Sequence, residues 1–160
     1  MTISVGEKIP SVKVMLATDQ GPEQADTGEI FGEGKVALFS VPGAFTPTCS
    51  AKHLPGFVEK ADALKSKGVS KIVCMSVNDA FVMDAWAKSQ DAQDSVVMLA
   101  DGNGDFARAL DLVMDGKGFG MGERSQRFSA IIEDGVVKEL NIEAPGAFEV
   151  SSAEHMIGQL

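Results

Sequence analysis

The stretch Lys35-Val36-Ala37-Leu38-Phe39-Ser40-Val41-Pro42-Gly43-Ala44-Phe45-Thr46-Pro47-Thr48-Cys49 holds the change of backbone period that decides the fold. Residues 35–41 form a short apolar run, the pattern of a strand buried on both faces. Pro42 and Gly43 end it. Thr46 has the chemistry of a helix cap, and Pro47 suits the first helical position, where its missing N–H has no partner to lose. From Ser50 to Lys67 the residues Leu54, Phe57, Val58, Ala61 and Leu64 recur on one helical face. Pro55 falls inside that pattern and predicts a kink.

Working outward, Val12 to Ala17 reads as a strand, Gly21-Pro22-Glu23 as a turn, and Thr27 to Glu33 as an exposed edge or loop. Lys71 to Val77 is a second buried strand, and Asn78-Asp79 opens a helix over Ala80–Ser89. Ser95 to Ala100 gives a third strand and Asp105 to Leu112 a helix. Arg127–Asp134 and Val136–Ile142 flank Asp134-Gly135, a hairpin turn signal, and Ser151 or Ser152 caps a last helix. Strand–helix alternation gives parallel strands through crossover connections, and the closing hairpin adds antiparallel ones. The expectation is an α/β fold with a central mixed β-sheet flanked by helices, in a single domain over residues 1–160.

The 160 residues suit one core, which Phe, Leu, Val and Met must fill, because the chain has one Trp and no Tyr. A net charge of −9 repels phosphate backbones and anionic lipid, so neither nucleic acid nor membrane is an expected partner. Two cysteines do not make a disulfide scaffold. No leader pattern opens the chain and no run reaches the roughly 18 apolar residues of a bilayer span, so a reducing, cytoplasmic setting is expected.

Cys49 falls in the first turn of the predicted helix, where backbone N–H groups and the helix dipole favour negative charge. A free cysteine titrates near pH 8.5, so only a few per cent is nucleophilic thiolate at neutrality. Lowering such a value by about 2 units takes about 2.7 kcal/mol of preference for the anion. A helix terminus supplies about 1 to 2 kcal/mol, and a guanidinium from elsewhere in the chain can supply the rest. The plain alternative, a small residue at a helix start, stands beside this reading.

The spacing Pro42-x-x-x-Thr46-x-x-Cys49 resembles the active-site motif of peroxiredoxins. The run Pro-Gly-Ala-Phe-Thr-Pro-Thr-Cys-Ser, with Lys52-His53-Leu54-Pro55-Gly56-Phe57 after it, is similar to the type II (type 5) subfamily, as are Ser76–Met83 and Gly122–Ser129. The resemblance implies a thioredoxin-like fold and a thiol-dependent peroxidase that acts on hydrogen peroxide and alkyl hydroperoxides without metal or organic cofactor. It implies that Cys49 becomes a sulfenic acid, regenerated by glutathione with glutaredoxin or by thioredoxin. It assigns Thr46 to the peroxide and the sulfur, Pro42 to shielding the pocket, and Arg124 to the thiolate and the departing oxygen. The N–H groups of Thr48 and Cys49 would bind peroxide oxygens, and a homodimer built through loops around the site is expected.

Other residues keep two readings. Cys74, in Ile72-Val73-Cys74-Met75, is either a packed inert thiol or a resolving cysteine 25 residues after Cys49, a spacing found in some type II peroxiredoxins. Others of the group use a cysteine near the C-terminus, where this chain has Glu149-Val150-Ser151-Ser152 and none. His53, one turn after Cys49, lines the pocket mouth and biases the thiolate, or lies at the surface. Arg127 supports Arg124 through carboxylates or is a solvated strand residue. Phe45 and Phe119 are pocket walls, interface residues or core. The Gly-rich segment Gly116–Gly122 lacks the Lys-Ser/Thr ending of a phosphate loop and is read as a flexible carrier of Arg124.

Overall fold

The computed structural model describes all 160 residues. Its main sheet has seven strands, in chain order β1 (Lys13–Thr18), β2 (Gly21–Asp26), β3 (Lys35–Ser40), β4 (Val69–Ser76), β5 (Val97–Ala100), β8 (Phe128–Glu133) and β9 (Val136–Ile142), arranged β2-β1-β5-β4-β3-β8-β9. The centre, β5-β4-β3, is parallel, as buried crossover strands require. On its two sides β1 and β8 run antiparallel to β5 and β3, so the sheet is mixed. β6 (Val113–Asp115) and β7 (Glu123–Ser125) form a separate two-stranded ribbon.

Side-chain alternation along the strands makes two cores. Ala37, Phe39 and Val41, with Ile72 and Cys74, face α2 (Leu54–Glu59), α3 (Ala61–Ser66), α4 (Ala80–Ser89) and α6 (Ala153–Ile157). Val36, Leu38, Val73 and Met75 point the other way, toward α1 (Thr27–Ile30) and α5 (Asp105–Leu110). The predicted helical face is the buried one: Leu54, Phe57 and Leu64 have no exposed surface. Each such side chain stabilises the fold by about 1.5–3 kcal/mol.

The helix predicted over Ser50–Lys67 is three pieces. Cys49–His53 is a π turn, in which the Leu54 N–H donates to Cys49 O five residues back. Pro55 follows at the start of α2. A proline ring collides with the carbonyl four residues earlier and has no N–H to donate, and widening the preceding turn removes both conflicts. A break at Lys60 separates α2 from α3.

Two expectations need correction. Gly21–Glu23 is not a turn but the start of β2, which pairs with β1 across a tight turn at Asp19–Gln20. Pro22 is tolerated because β2 is an edge strand. Thr27–Ile30 is a helical turn rather than a loop, with Asp26 accepting from the Gly28 N–H as its cap. The ribbon β6–β7 is absent from the sequence reading, since three-residue strands leave no periodic signal.

Candidate active site

The site lies where β3 ends. Val41 N–H donates to Met75 O of β4, and the chain then turns through Pro42–Phe45. Phe45 takes a left-handed backbone, φ +65°, a strained state for a bulky residue, and its ring stands 55% exposed. The loop is tied down by Asn78, whose side-chain oxygen accepts from Ala44 N–H (2.9 Å) and from Ser76 Oγ (2.6 Å). The Ser76–Met83 stretch thus supports the loop, and its Asp79 caps α4 through the Val82 N–H. Trp86 of α4 donates from Nε1 to Ser50 Oγ at 3.0 Å, pinning the π turn beside Cys49.

Pro47 and Thr48 open the helical segment, as expected. The expected Thr46 cap is not made: Thr46 Oγ1 donates back to Gly43 O at 2.6 Å. The first i+4 bond is Ser50 N–H to Thr46 O, which leaves the amides of Thr48 and Cys49 at the head of the turn.

Cys49 is fully buried, and its Sγ accepts from Arg127 Nη2 at 3.0 Å. This corrects the assignment of the thiol's cation to Arg124. Arg124 sits in the β6–β7 ribbon opposite Met114, donates from Nε to Met121 O (2.9 Å) and from Nη1 to Pro42 O (3.4 Å), and so braces the loop instead of the sulfur. Gly43 makes room for it, since a Cβ there would lie 2.9 Å from Arg124 Nη1. Arg127 immediately precedes Phe128, which pairs with Ser40 at the end of β3, so it emerges beside the Cys49 loop. The antiparallel return of the predicted hairpin onto β3 is the signal that could have found it. Arg127 does not act through carboxylates, because no ion pair of the chain includes it or Arg124.

His53 is neither at the pocket mouth nor at the surface. It is fully buried among Phe39, Phe57 and Phe148, with ring centroids 4.9, 5.7 and 5.0 Å away. Nε2 lies 2.9 Å from Ser151 O and Nδ1 2.8 Å from Arg127 Nη1. Burial, with the Arg127 charge adding to it, pushes His53 down to about 3. His155, by contrast, is a surface residue of α6.

A cavity of about 810 Å³ opens over this arrangement. Pro42, Thr46, Thr48, Phe119 and Arg127 line it, with Glu143–Ala147 on the far wall. Phe45 and Arg124 stand outside it, and Phe119 is 83% exposed at its rim. Glu143, missed in the sequence, accepts from the N–H groups of Glu149, Val150 and Ser151 and from Ser151 Oγ, all within 2.9 Å. Burial pushes its carboxyl up, and these four bonds outweigh that and hold it below its ordinary value.

Cys74 is fully buried in β4, opposite Phe39, in the same apolar cluster as Cys49. Burial pushes its thiol well up, and the neighbouring Cys49 adds to this while Arg127 opposes it. No group of three or more His, Cys, Asp or Glu side chains is placed to hold a metal ion, and no helix is long and apolar enough to cross a membrane.

A thiol at the head of a helical turn, a guanidinium on its sulfur and a cavity above form a site for attack on a small electrophile. Known proteins agree with that chemistry. The family model Redoxin matches residues 4–157. The chain is 50% identical to peroxiredoxin-2E, chloroplastic, of Arabidopsis thaliana, over 99% of its own length and 70% of that protein. It is 45% identical to peroxiredoxin-2B of the same plant, over 99% and 98%. The reduced Prx3 of Vibrio vulnificus in complex with hydrogen peroxide superimposes with a TM-score of 0.95 at 50% identity, over 99% of both chains. The chain belongs to the redoxin family and, within it, to the type II peroxiredoxins, thiol-dependent peroxidases of thioredoxin-like fold.

Proposed function

We propose that Cys49 is the peroxidatic nucleophile and that Arg127, not Arg124, is its cation. The observation that carries this is the 3.0 Å bond from Arg127 Nη2 to Cys49 Sγ. The thiolate attacks the terminal oxygen of hydrogen peroxide or an alkyl hydroperoxide, and the S–O bond forms as the O–O bond breaks. The departing hydroxide or alkoxide takes a proton and leaves as water or alcohol, and Cys49 remains as sulfenic acid. Charge moves from sulfur to oxygen, so donors fixed along that line lower the barrier. In this reading Arg127 and the amides of Thr48 and Cys49 are the donors, Thr46 Oγ1, its own hydrogen given to Gly43 O, accepts the peroxide O–H, and Pro42, which lines the cavity, shields it from water. Stopped-flow mixing with hydrogen peroxide tests the reading: Cys49→Ser must abolish the reaction. Full activity in that variant rejects it.

The sulfenic acid is then reduced by an external thiol, glutathione with glutaredoxin ahead of thioredoxin. Cys74, shielded and held protonated by burial, is a poor attacking thiolate. A second reading, a Cys49–Cys74 disulfide, draws on their shared cluster. Mass spectrometry after one equivalent of peroxide in millimolar glutathione separates them, since a dominant Cys49–Cys74 product overturns the external-thiol route. The exposed rings of Phe45, Phe81 (72%) and Phe119 support a homodimer, which light scattering at micromolar concentration tests. Two unpaired thiols fit a reducing compartment, and we place the protein in the cytoplasm, to be checked by fractionation.

A further inference from the structure

We propose that His53 is a positioning residue for the peroxidatic thiol: as a neutral imidazole it aims the Arg127 guanidinium at Cys49 without cancelling its charge. The proposal rests on Cys49 reacting as a thiolate.

Consider how a half-buried guanidinium is held. The common anchor is a carboxylate, which fixes the fork geometry and also neutralises it. Here no carboxylate lies within 4.0 Å of Arg127. One arm reaches Cys49 Sγ at 3.0 Å and the other reaches His53 Nδ1 at 2.8 Å, with the Phe148 ring 5.9 Å from Cζ. An imidazole nitrogen that accepts from a guanidinium must be unprotonated, because arginine has only donors. The other nitrogen, Nε2, faces the Ser151 carbonyl, which only accepts, so it carries the hydrogen. The two bonds therefore require one tautomer, Nε2–H with a lone pair on Nδ1.

The surroundings hold that state. Three aromatic rings and complete burial disfavour the imidazolium, and Arg127 repels it. Glu143 is the one anion that favours it, but its Oε2 is committed to the loop amides of residues 149–151 and to Ser151 Oγ. That commitment fixes the loop and aims Ser151 O at His53. The thiolate thus receives the field of a guanidinium that no carboxylate pairs with directly.

The pH dependence of Cys49 alkylation by iodoacetamide, read by mass spectrometry, tests this without any peroxide. His53→Gln keeps an acceptor for Arg127 and a donor for Ser151, and should stay within about threefold of the parent at pH 7. His53→Glu keeps the acceptor but adds charge, and His53→Phe removes both bonds. Each should react about tenfold more slowly at pH 7, with a midpoint moved to higher pH. His53→Glu matching His53→Gln, or all three variants losing equally with the parent midpoint unchanged, overturns the proposal. Should His53→Phe fail to fold, the Gln–Glu comparison decides. ¹⁵N shifts of the parent ring decide it with no variant: Nε2–H with bare Nδ1 from pH 5 to 8 is expected, and an imidazolium or an Nδ1–H tautomer rejects it. A parent that alkylates as expected yet consumes no peroxide counts against the peroxidase reading and not against His53.

Discussion

Two buried thiols share one apolar cluster on one face of the sheet, and their surroundings could hardly differ more. Cys74 lies mid-strand, paired on both sides by the ladder, in an apolar cluster where no hydrogen-bond donor reaches its sulfur. Cys49 lies at the head of a π turn with unspent amides, a guanidinium on its sulfur and a cavity over the turn. Burial penalises an anion in a protein interior, and only at Cys49 does a charged donor face the sulfur. On the proposed chemistry, reactivity follows the donors aimed at the sulfur, not the degree of exposure.

The sharpest way to break this contrast is to exchange the sulfurs for oxygens. Cys49→Ser should reduce peroxide consumption by at least about 10³-fold, while Cys74→Ser leaves oxidation of Cys49 within a few-fold in a single turnover. Equal losses in the two variants would erase the distinction. Next in size is the pair of arginines. Arg127→Met should slow oxidation of Cys49 by about 10²–10³-fold, the scale of losing one preorganised donor. Arg124→Met, which frees the Pro42 loop but touches no sulfur, should cost about tenfold or less. The reverse order would return the thiol's cation to Arg124.

A third prediction concerns stability. His53 is depressed to about 3 in the folded chain and titrates near 6.5 when unfolded. The unfolded chain binds the proton first, so stability is complete above pH 6.5 and falls by about 1.4 kcal/mol per pH unit from there toward pH 3. Glu143, whose folded value is lowered, adds to the loss at acid pH, and Asp101, whose folded value is raised by burial, opposes it. Urea melts at pH 7 and pH 4 should show His53→Gln losing less stability on acidification than the parent. Parallel losses would mean that His53 is not the group titrating. The smallest effect belongs to the pin on the π turn. Ser50→Ala removes the acceptor of Trp86 Nε1 and should destabilise by about 1 kcal/mol, with a change in the emission of the single tryptophan.

Local pattern carried the central strands, α4, the hairpin and the strand-to-helix passage at Cys49, because apolar period and capping chemistry act over a few residues. It missed β6–β7, whose three-residue strands show no period, and misread Gly21–Glu23, where pairing with the adjacent β1 across the Asp19–Gln20 turn outweighs the preference of Gly and Pro for turns. Of the candidate site, Cys49, Thr46 and Pro42 were legible as one short motif, whereas the sequence left Phe119 open and the structure puts it with Pro42 and Thr46 on the cavity lining. The cation was not legible. Arg124 and Arg127 are three residues apart and chemically identical, and only the strand register says which reaches the sulfur.

The sequence by itself determined the kind of fold and which atom we propose to react. A helix start after a buried strand, with cysteine in its first turn, is a covalent arrangement within fifteen residues, and no distant contact is needed to specify it. Tertiary structure alone decided what stands around that atom. Arg127 arrives 78 residues after Cys49 by the antiparallel return of β8, and Ser151 arrives 98 residues after His53 by the closing loop that Glu143 holds. Hydrogen-bond geometry changes meaning over a fraction of an ångström, whereas the chain distances that create it span most of the molecule, so those partners exist only once the sheet has closed.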